Sequence, residues 1–305
     1  MLESWVVISG TSTGIGRATA LRLASEGFNV IAGVRRESDA NALLAEAGAE
    51  GSGKGRLVPV ILDVTNQSSI DATVGLAREL AGASGLRAVI NNAGIVVPGP
   101  VEHVSAEDWR RQFDVNLFGM IELTRATLPL LRQGVVAHGL YVPRLLFVSS
   151  IGGRVSQPIL APYTTTKFAT NALGDSLRLE LRRQGIGVTV IEPGAIATDL
   201  WAKGDASAQE FGPNHPARKL YEPEINGLVE ASKQTRGRAI PASKAADDIF
   251  RALTASRAPA RVLVGTDAKI TALLRSWLPL SWFDAILLRT FQINGLPVKA
   301  PDVSV

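Results

Sequence analysis

The sequence predicts an α/β fold: a doubly wound parallel sheet of about seven strands in one domain spanning residues 1–305, with a helical extension at its C-terminal end. Three observations carry this. Short apolar, β-branched runs alternate with longer stretches of helical periodicity. The first run passes through a glycine-rich turn directly into a helix. Small and polar residues gather where the later runs end, the place where ligands bind on such sheets. At 305 residues, 46% hydrophobic and 20% charged, the chain has ordinary globular composition and material for a large core.

Trp5-Val6-Val7-Ile8-Ser9 is the first strand. Gly10-Thr11-Ser12-Thr13-Gly14-Ile15-Gly16 follows, then a helical pattern with Ala18, Leu21, Leu23 and Ala24 on its apolar side. Strand, glycine turn and helix form the Rossmann-like arrangement that presents backbone N–H groups and a positive helix end to a pyrophosphate. The spacing G-x-x-x-G-x-G differs from the commoner G-x-G-x-x-G, and a glycine-rich turn alone is often only a turn. Residues 28–34 form a second strand that ends at Arg35-Arg36. Many dinucleotide folds place an acid here to hold ribose hydroxyls, whereas an arginine can pair with a 2′-phosphate. The alternative is two solvated loop charges. Residues 50–55 read as a surface turn. Residues 57–62 form a third strand followed by Asp63-Val64, 67–80 a helix, and 88–90 a fourth strand leading into Asn91-Asn92-Ala93-Gly94.

Residues 107–131 read as one long helix carrying Asn116, a residue that by itself is as readily a buried amide satisfying the backbone. Residues 145–148 form a fifth strand that ends in Ser149-Ser150-Ile151-Gly152-Gly153. The helix predicted over 161–183 holds Tyr163 and Lys167, which share a face at i and i+4. A tyrosine pKa of roughly 10 makes a poor acid or base at neutral pH. A fixed cation nearby favours the phenolate, and a phenol tuned in this way can exchange a proton with an alcohol or ketone. Alone, the pair is a common coincidence. Residues 188–191 form a sixth strand that ends in Glu192-Pro193-Gly194-Ala195-Ile196-Ala197-Thr198. Residues 200–240 read as irregular and polar with short helical stretches, 244–255 as helix and 261–264 as a seventh strand. Residues 270–289 are two short helical stretches broken at Pro279, rich in Leu and Trp, with arginines at 275 and 289. Such a tail suits three jobs: roofing an apolar pocket with Leu200–Trp201, lying on a membrane surface, or core packing.

The composition excludes several classes. There is no cysteine, hence no disulfide, thiolate metal site or cysteine nucleophile. His103, His138 and His215 lack metal-ligand spacing and a Ser-His-Asp context, so they are expected at the surface. A net charge of +4 without charge blocks gives no case for nucleic acid. The N-terminus runs into an apolar strand without a signal-peptide pattern, and no uninterrupted apolar run reaches ~18 residues. The expectation is a cytoplasmic protein, with peripheral membrane contact as the variant.

These motifs together resemble the short-chain dehydrogenase/reductase family. The matching residues are Gly10-x-x-x-Gly14-Ile15-Gly16, Asp63, Asn91-Asn92-Ala93-Gly94, Asn116, Ser150, Tyr163-x-x-x-Lys167 and Pro193-Gly194 with Thr198, over about residues 4–200. The Ser150–Gly153 segment and the long C-terminal part look similar to members acting on hydroxysteroids and retinol-like alcohols. The resemblance implies that Tyr163 is the general acid/base and that Lys167 lowers its pKa and binds the nicotinamide ribose. Ser150, thirteen before Tyr163, is implied over Ser149 as the residue holding the substrate oxygen. Asn116 would anchor a water linking Lys167 to solvent. The turn residues Gly10, Ser12, Thr13, Gly14, Ile15 and Gly16 would hold the cofactor phosphates, with Arg35 on the 2′-phosphate. Asp63 and Val64 would meet the adenine, while Asn91, Ala93 and Gly94 line the adenosine and ribose. Pro193, Gly194, Ile196 and Thr198 would lie at the nicotinamide, with Thr198 fixing its carboxamide. No metal is implied.

The implied activity is an NADP(H)-dependent interconversion of a hydrophobic alcohol and its ketone or aldehyde, with NAD(H) as the lesser cofactor. Residues 1–200 would be the cofactor and catalytic core, 200–240 a substrate loop and 268–305 the helical extension. The implied assembly is a homodimer or homotetramer through helices 107–131 and 161–183, with Leu117, Met120, Leu128 and Leu177 as apolar surface. Two rivals remain: a non-catalytic dinucleotide sensor, which usually lacks the Tyr or the Lys, and a dehydrogenase of small polar alcohols using NAD.

Overall fold

The computed structural model describes residues 4–49, 54–138, 143–198 and 211–293. Seven parallel strands run in the order β3-β2-β1-β4-β5-β6-β9. They are β1 (Trp5–Ile8), β2 (Asn29–Val34), β3 (Leu57–Ile61), β4 (Leu86–Asn91), β5 (Arg144–Val148), β6 (Gly187–Pro193) and β9 (Arg261–Val264). A second, two-stranded sheet joins β7 (Ile196–Ala197) to β8 (Ile240–Pro241).

The near-continuous apolar strands follow from burial on both faces. Successive side chains alternate between faces, so Trp5, Val7, Val89 and Leu145 enter one core, and Val6, Ile8, Ile90 and Leu146 the other. The first core is closed by α3 (Gln67–Ala81), α5 (Gly119–His138) and α6 (Ala161–Glu180), through Ile70, Val74, Leu123 and Leu131, with Leu173 at its edge. The second is closed by α1 (Gly14–Ser25), α2 (Glu37–Ala49) and α8 (Ala242–Thr254), through Leu21, Leu23, Leu43, Ile249 and Leu253. A third cluster sits at the carboxyl end of the sheet and includes Tyr163, Leu160, Phe211, Ile225, Leu228 and Phe291.

Several expectations are revised. The helix predicted over 107–131 is α4 (Ala106–Phe113), a five-residue π turn (Asp114–Phe118) and α5. It runs on to 138, and Gly134 within it packs where a Cβ would collide with the carbonyl of Leu86. The stretch within 200–240, read as irregular with short helical stretches, contains one long helix, α7 (Arg218–Arg238). Its kink at Tyr221 lets Pro223 sit near a helix start, where the missing N–H costs little. Met120 is buried in the first core and offers no surface. His103 and His215 are half-buried and pack edge-on together, with Phe211 and Tyr221 beside them.

The C-terminal part is α9 (Thr266–Trp277) and α10 (Leu280–Thr290), broken at Pro279 as predicted. Its inner side supplies Phe291 and the half-buried Leu287 to the third cluster. Its outer side exposes Leu273, Trp277, Leu280 and Trp282. Among the described residues no helix is long and apolar enough to cross a membrane. Residues 50–53 of the expected surface turn, Leu200–Trp201 within 199–210, and residues 294–305 lie outside the described residues.

Candidate active site

A cleft of about 360 Å³ opens beyond the carboxyl ends of β1, β2, β4, β5 and β6, on both sides of the point where the strand order reverses. One end is the turn after β1. Gly10 has φ 71° and Gly14 φ 60°, backbone that a side chain would strain. A Cβ on Gly10 would lie 2.8 Å from Ala93 Cα, and one on Gly14 would lie 2.9 Å from Thr198 Cγ2. Thr13, at the N-cap of α1, makes no side-chain cap hydrogen bond. The first N–H groups of α1 therefore face the cleft without a side-chain acceptor at the cap, as an anion site needs. This cradle fits a pyrophosphate.

Ser12, Thr13 and Ile15 also line the cleft, as do Arg35, Asp63, Val64, Ala93, Gly94, Pro193, Gly194, Ile196 and Thr198. Arg35 and Arg36, read together as one phosphate-binding possibility, behave differently. Arg36 forks onto Asp39 at 3.0 and 2.9 Å. Arg35, exposed at the end of β2, has no side-chain partner among the described residues and points to the cleft. Asp63 accepts from the backbone N–H and the hydroxyl of Thr65, at 2.9 and 2.7 Å.

Three expected residues do not line the cleft. Gly16 packs under the turn, where a Cβ would strike Asn92 and the Gly10 carbonyl. Asn91 turns the other way, and its Nδ2 donates to Thr124 on α5 at 3.0 Å. Strand alternation contains this signal, since 89 and 91 share the face that α5 covers. Asn92 takes the place expected of Asn91: it lines the cleft and donates to the carbonyls of Ser9 and Gly10 at 3.0 and 2.9 Å. The Ser9 hydroxyl accepts in return from the N–H groups of Asn92 and Ala93, both at 3.1 Å. Asn116, the third, is fully buried in the π turn. Its amide accepts from the Ile95 N–H at 2.8 Å and donates to the Ile95 carbonyl at 3.0 Å. A Cβ on Gly94 would meet both Asn116 Oδ1 and Lys167 Nζ, at 3.5 and 3.8 Å. Asn116 and Lys167 thus both pack against Gly94.

Tyr163, Lys167 and Ser150 converge in the cleft. The Ser150 hydroxyl stands close enough to that of Tyr163 to favour the phenolate. Ser150 Oγ also accepts from the Gly152 N–H at 3.0 Å, which fixes its rotamer. Ser149 donates instead to the Lys167 carbonyl at 3.2 Å. The two serines are therefore separated by geometry as well as by spacing. Lys167 Nζ donates to the Val148 carbonyl at 3.0 Å and lies 5.6 Å from the Tyr163 ring centroid.

The electrostatics differ from the expectation that Lys167 holds the Tyr163 pKa down. Burial raises it, because a phenolate loses its hydration there, and the Ser150 hydroxyl opposes that rise. Burial also pushes the Lys167 ammonium down to about 8. At neutral pH the site therefore holds a protonated phenol, a neutral hydroxyl beside it and a buried cation behind. Such a set can orient a carbonyl oxygen and protonate it as charge develops there.

The comparisons agree with this geometry. The profile of short chain dehydrogenases matches residues 4–209. Retinol dehydrogenase 16 from Mus musculus is 35% identical over 306 residues, covering 94% of this chain and 89% of that protein. An NADPH-dependent 3-dehydrocapnine reductase from Ornithobacterium rhinotracheale is 29% identical over 260 residues, covering 85% and 87%. The crystal structure of a short-chain dehydrogenase from Streptomyces avermitilis matches with a TM-score of 0.72 at 27% identity, over 95% and 97% of the two chains. The parallel sheet, the glycine cradle and the Ser-Tyr-Lys convergence are thus found in a chain that belongs to the short-chain dehydrogenases, oxidoreductases acting on CH–OH groups with a nicotinamide dinucleotide.

Proposed function

We propose that the chain interconverts a hydrophobic primary or secondary alcohol and its aldehyde or ketone, with NADP(H) preferred over NAD(H). The observation that carries the substrate class is the apolar cluster against Tyr163. Val96, Ile159, Leu160, Phe211 and Leu228 form one buried apolar cluster with Tyr163, and Val96 reaches the cleft, which supports an apolar substrate. The similarity to a retinol dehydrogenase supports the same reading. The cofactor preference rests on Arg35, a guanidinium without a side-chain partner among the described residues, at the end of β2 where an acid would select against a 2′-phosphate.

In this reading Ser150 holds the substrate oxygen and Tyr163 gives it a proton. Lys167 binds the ribose. Asn116 fixes the backbone at Ile95 beside them. The dinucleotide, when bound, supplies or accepts the hydride. Turnover of long-chain, steroid and retinoid alcohols against small polar alcohols, followed by nicotinamide absorbance with both cofactors, tests the proposal. A preference for small polar alcohols overturns the substrate class, and equal kcat/KM for the two cofactors overturns the cofactor assignment.

A second role for the tail is favoured by its outer face. Trp277 is 80% exposed and Trp282 66%, with Arg275 and Arg289 on the same two helices, a composition suited to a lipid surface. Co-sedimentation with anionic vesicles checks it, and loss of binding in Trp277→Ala/Trp282→Ala is the expected outcome.

A further inference from the structure

We propose that Glu192 is the hub of a buried charge network that positions Ser150 against Tyr163, with Arg154 and Asn171 acting as positioning residues of the reaction through it. The inference rests on the reading of Ser150 as the group that holds the substrate oxygen.

Glu192 is fully buried near the end of β6 and does not line the cleft. A carboxylate in that position needs full compensation. Arg154 supplies a two-pronged fork, with Nε on Oε1 at 2.8 Å and Nη2 on Oε2 at 2.7 Å. Oε1 also accepts from Asn171 Nδ2 and from Arg261 Nη1, each at 2.9 Å. Arg261 is in turn paired with Asp175. Two guanidinium groups and two carboxylates thus close a balanced set.

The partners come from the elements that carry the reacting groups. Arg154 follows directly on the Ile151–Gly153 turn, which begins at Ser150. Asn171 stands one helical turn past Lys167 on α6, and its Nδ2 donates to the Gly153 carbonyl as well, at 2.9 Å. A Cβ on Gly153 would lie 2.7 Å from the Lys167 carbonyl, so the turn is pressed against the helix. Pro193, the neighbour of Glu192, lines the cleft. The carboxylate therefore ties the Ser150 turn, the Tyr163 helix and the cofactor-side end of β6 to one point. A bidentate fork admits one orientation, which a hydrophobic contact of similar size would not impose.

The test uses the charge-balanced double variant Arg154→Met/Glu192→Gln, which leaves Arg261 with Asp175, on whichever alcohol the protein turns over. The expected result is a fall in kcat of about 10- to 100-fold, the scale of a small misplacement of a reacting group, with cofactor affinity by fluorescence titration unchanged. The alkaline pKa of the oxidation profile should move up, because the Ser150 hydroxyl no longer favours the phenolate. In the Ser150→Ala background the double change should add no further loss. Unchanged kcat, or a loss that multiplies with that of Ser150→Ala, overturns the proposal. A harmless Ser150→Ala overturns the site reading and the proposal together, and failure of the hydrophobic-substrate reading leaves the test intact. If the double variant does not fold, Arg154→Lys, which keeps the charge and loses the fork, enters the same cycle. It should show native cofactor binding and a reduced kcat.

Discussion

At the residue scale the site makes three measurable demands. Tyr163→Phe keeps the ring and removes the proton, so it should lower kcat by at least ~10²-fold while cofactor binding persists. Normal turnover by this variant would show that the proton comes from elsewhere. Lys167 is buried and its pKa is pushed down to about 8, whereas that of Tyr163 is raised. The phenol thus stays protonated beyond the pH at which the lysine loses its charge. The kcat for ketone reduction should be flat near neutrality and fall as pH rises through about 8. A first alkaline limb above ~10, the ordinary tyrosine range, would assign it to the phenol instead. The stability effect of Lys167 has the opposite sign. Its folded-state pKa lies below the unfolded value of roughly 10.4, so its contribution rises with pH between those two values. Arg35→Ala should lower kcat/KM for NADP(H) by roughly 10- to 100-fold, the loss of one charge-assisted contact, and leave NAD(H) nearly untouched. Arg36→Ala, whose guanidinium is already held by Asp39, should change neither.

At the scale of elements, the glycine turn, the Tyr163 helix and the strand ends are legible in the sequence because each follows from a local rule of period or punctuation. The misreadings share a different cause. The helix from Gly119 runs past Gly134, which packs against the Leu86 carbonyl, and α7 takes in Pro223 beside a kink at Tyr221. The π turn that turns Asn116 inward is set by the Ile95 backbone, a partner distant in sequence and invisible to periodicity. The tail, which by composition suits three roles, has two different faces. Phe291 is buried with the cluster around Tyr163, while Trp277 is open. Phe291→Ala should accordingly cut kcat/KM for large apolar alcohols by about tenfold or more, as lost hydrocarbon contact in a pocket does, with little effect on small ketones. A uniform loss across both substrate classes would show that Phe291 supports the fold alone.

At the scale of the whole molecule, the strand order was open to inference only as a class. That β9 completes the sheet beside β6 depends on contacts between residues far apart in the chain, such as Arg261 with Glu192. The expected assembly is revised in its surface rather than in its helices. With Met120 inside the core, the apolar groups left outward on the π turn and α6 are Phe118 at 53% exposure, Phe168 at 42% and Leu179 at 64%. Should the chain pair through the expected helices, these groups would meet the second copy. Phe118→Glu/Phe168→Glu should shift the mass seen by light scattering toward the monomer. A wild type already monomeric at micromolar concentration would refute the assembly.

The place of β9 at the sheet edge also bears on synthesis. The other six strands of the main sheet have all been made by residue 193, but β9 is not complete until residue 264. At ~5–20 residues per second the ribosome needs about 4–14 s for that interval. During it, β6 is a naked edge of Val188, Val190 and Ile191, a ready template for pairing with another chain. Nascent chains halted between residues 200 and 260 should therefore aggregate or be held by chaperones, and release should coincide with the emergence of residues 261–264.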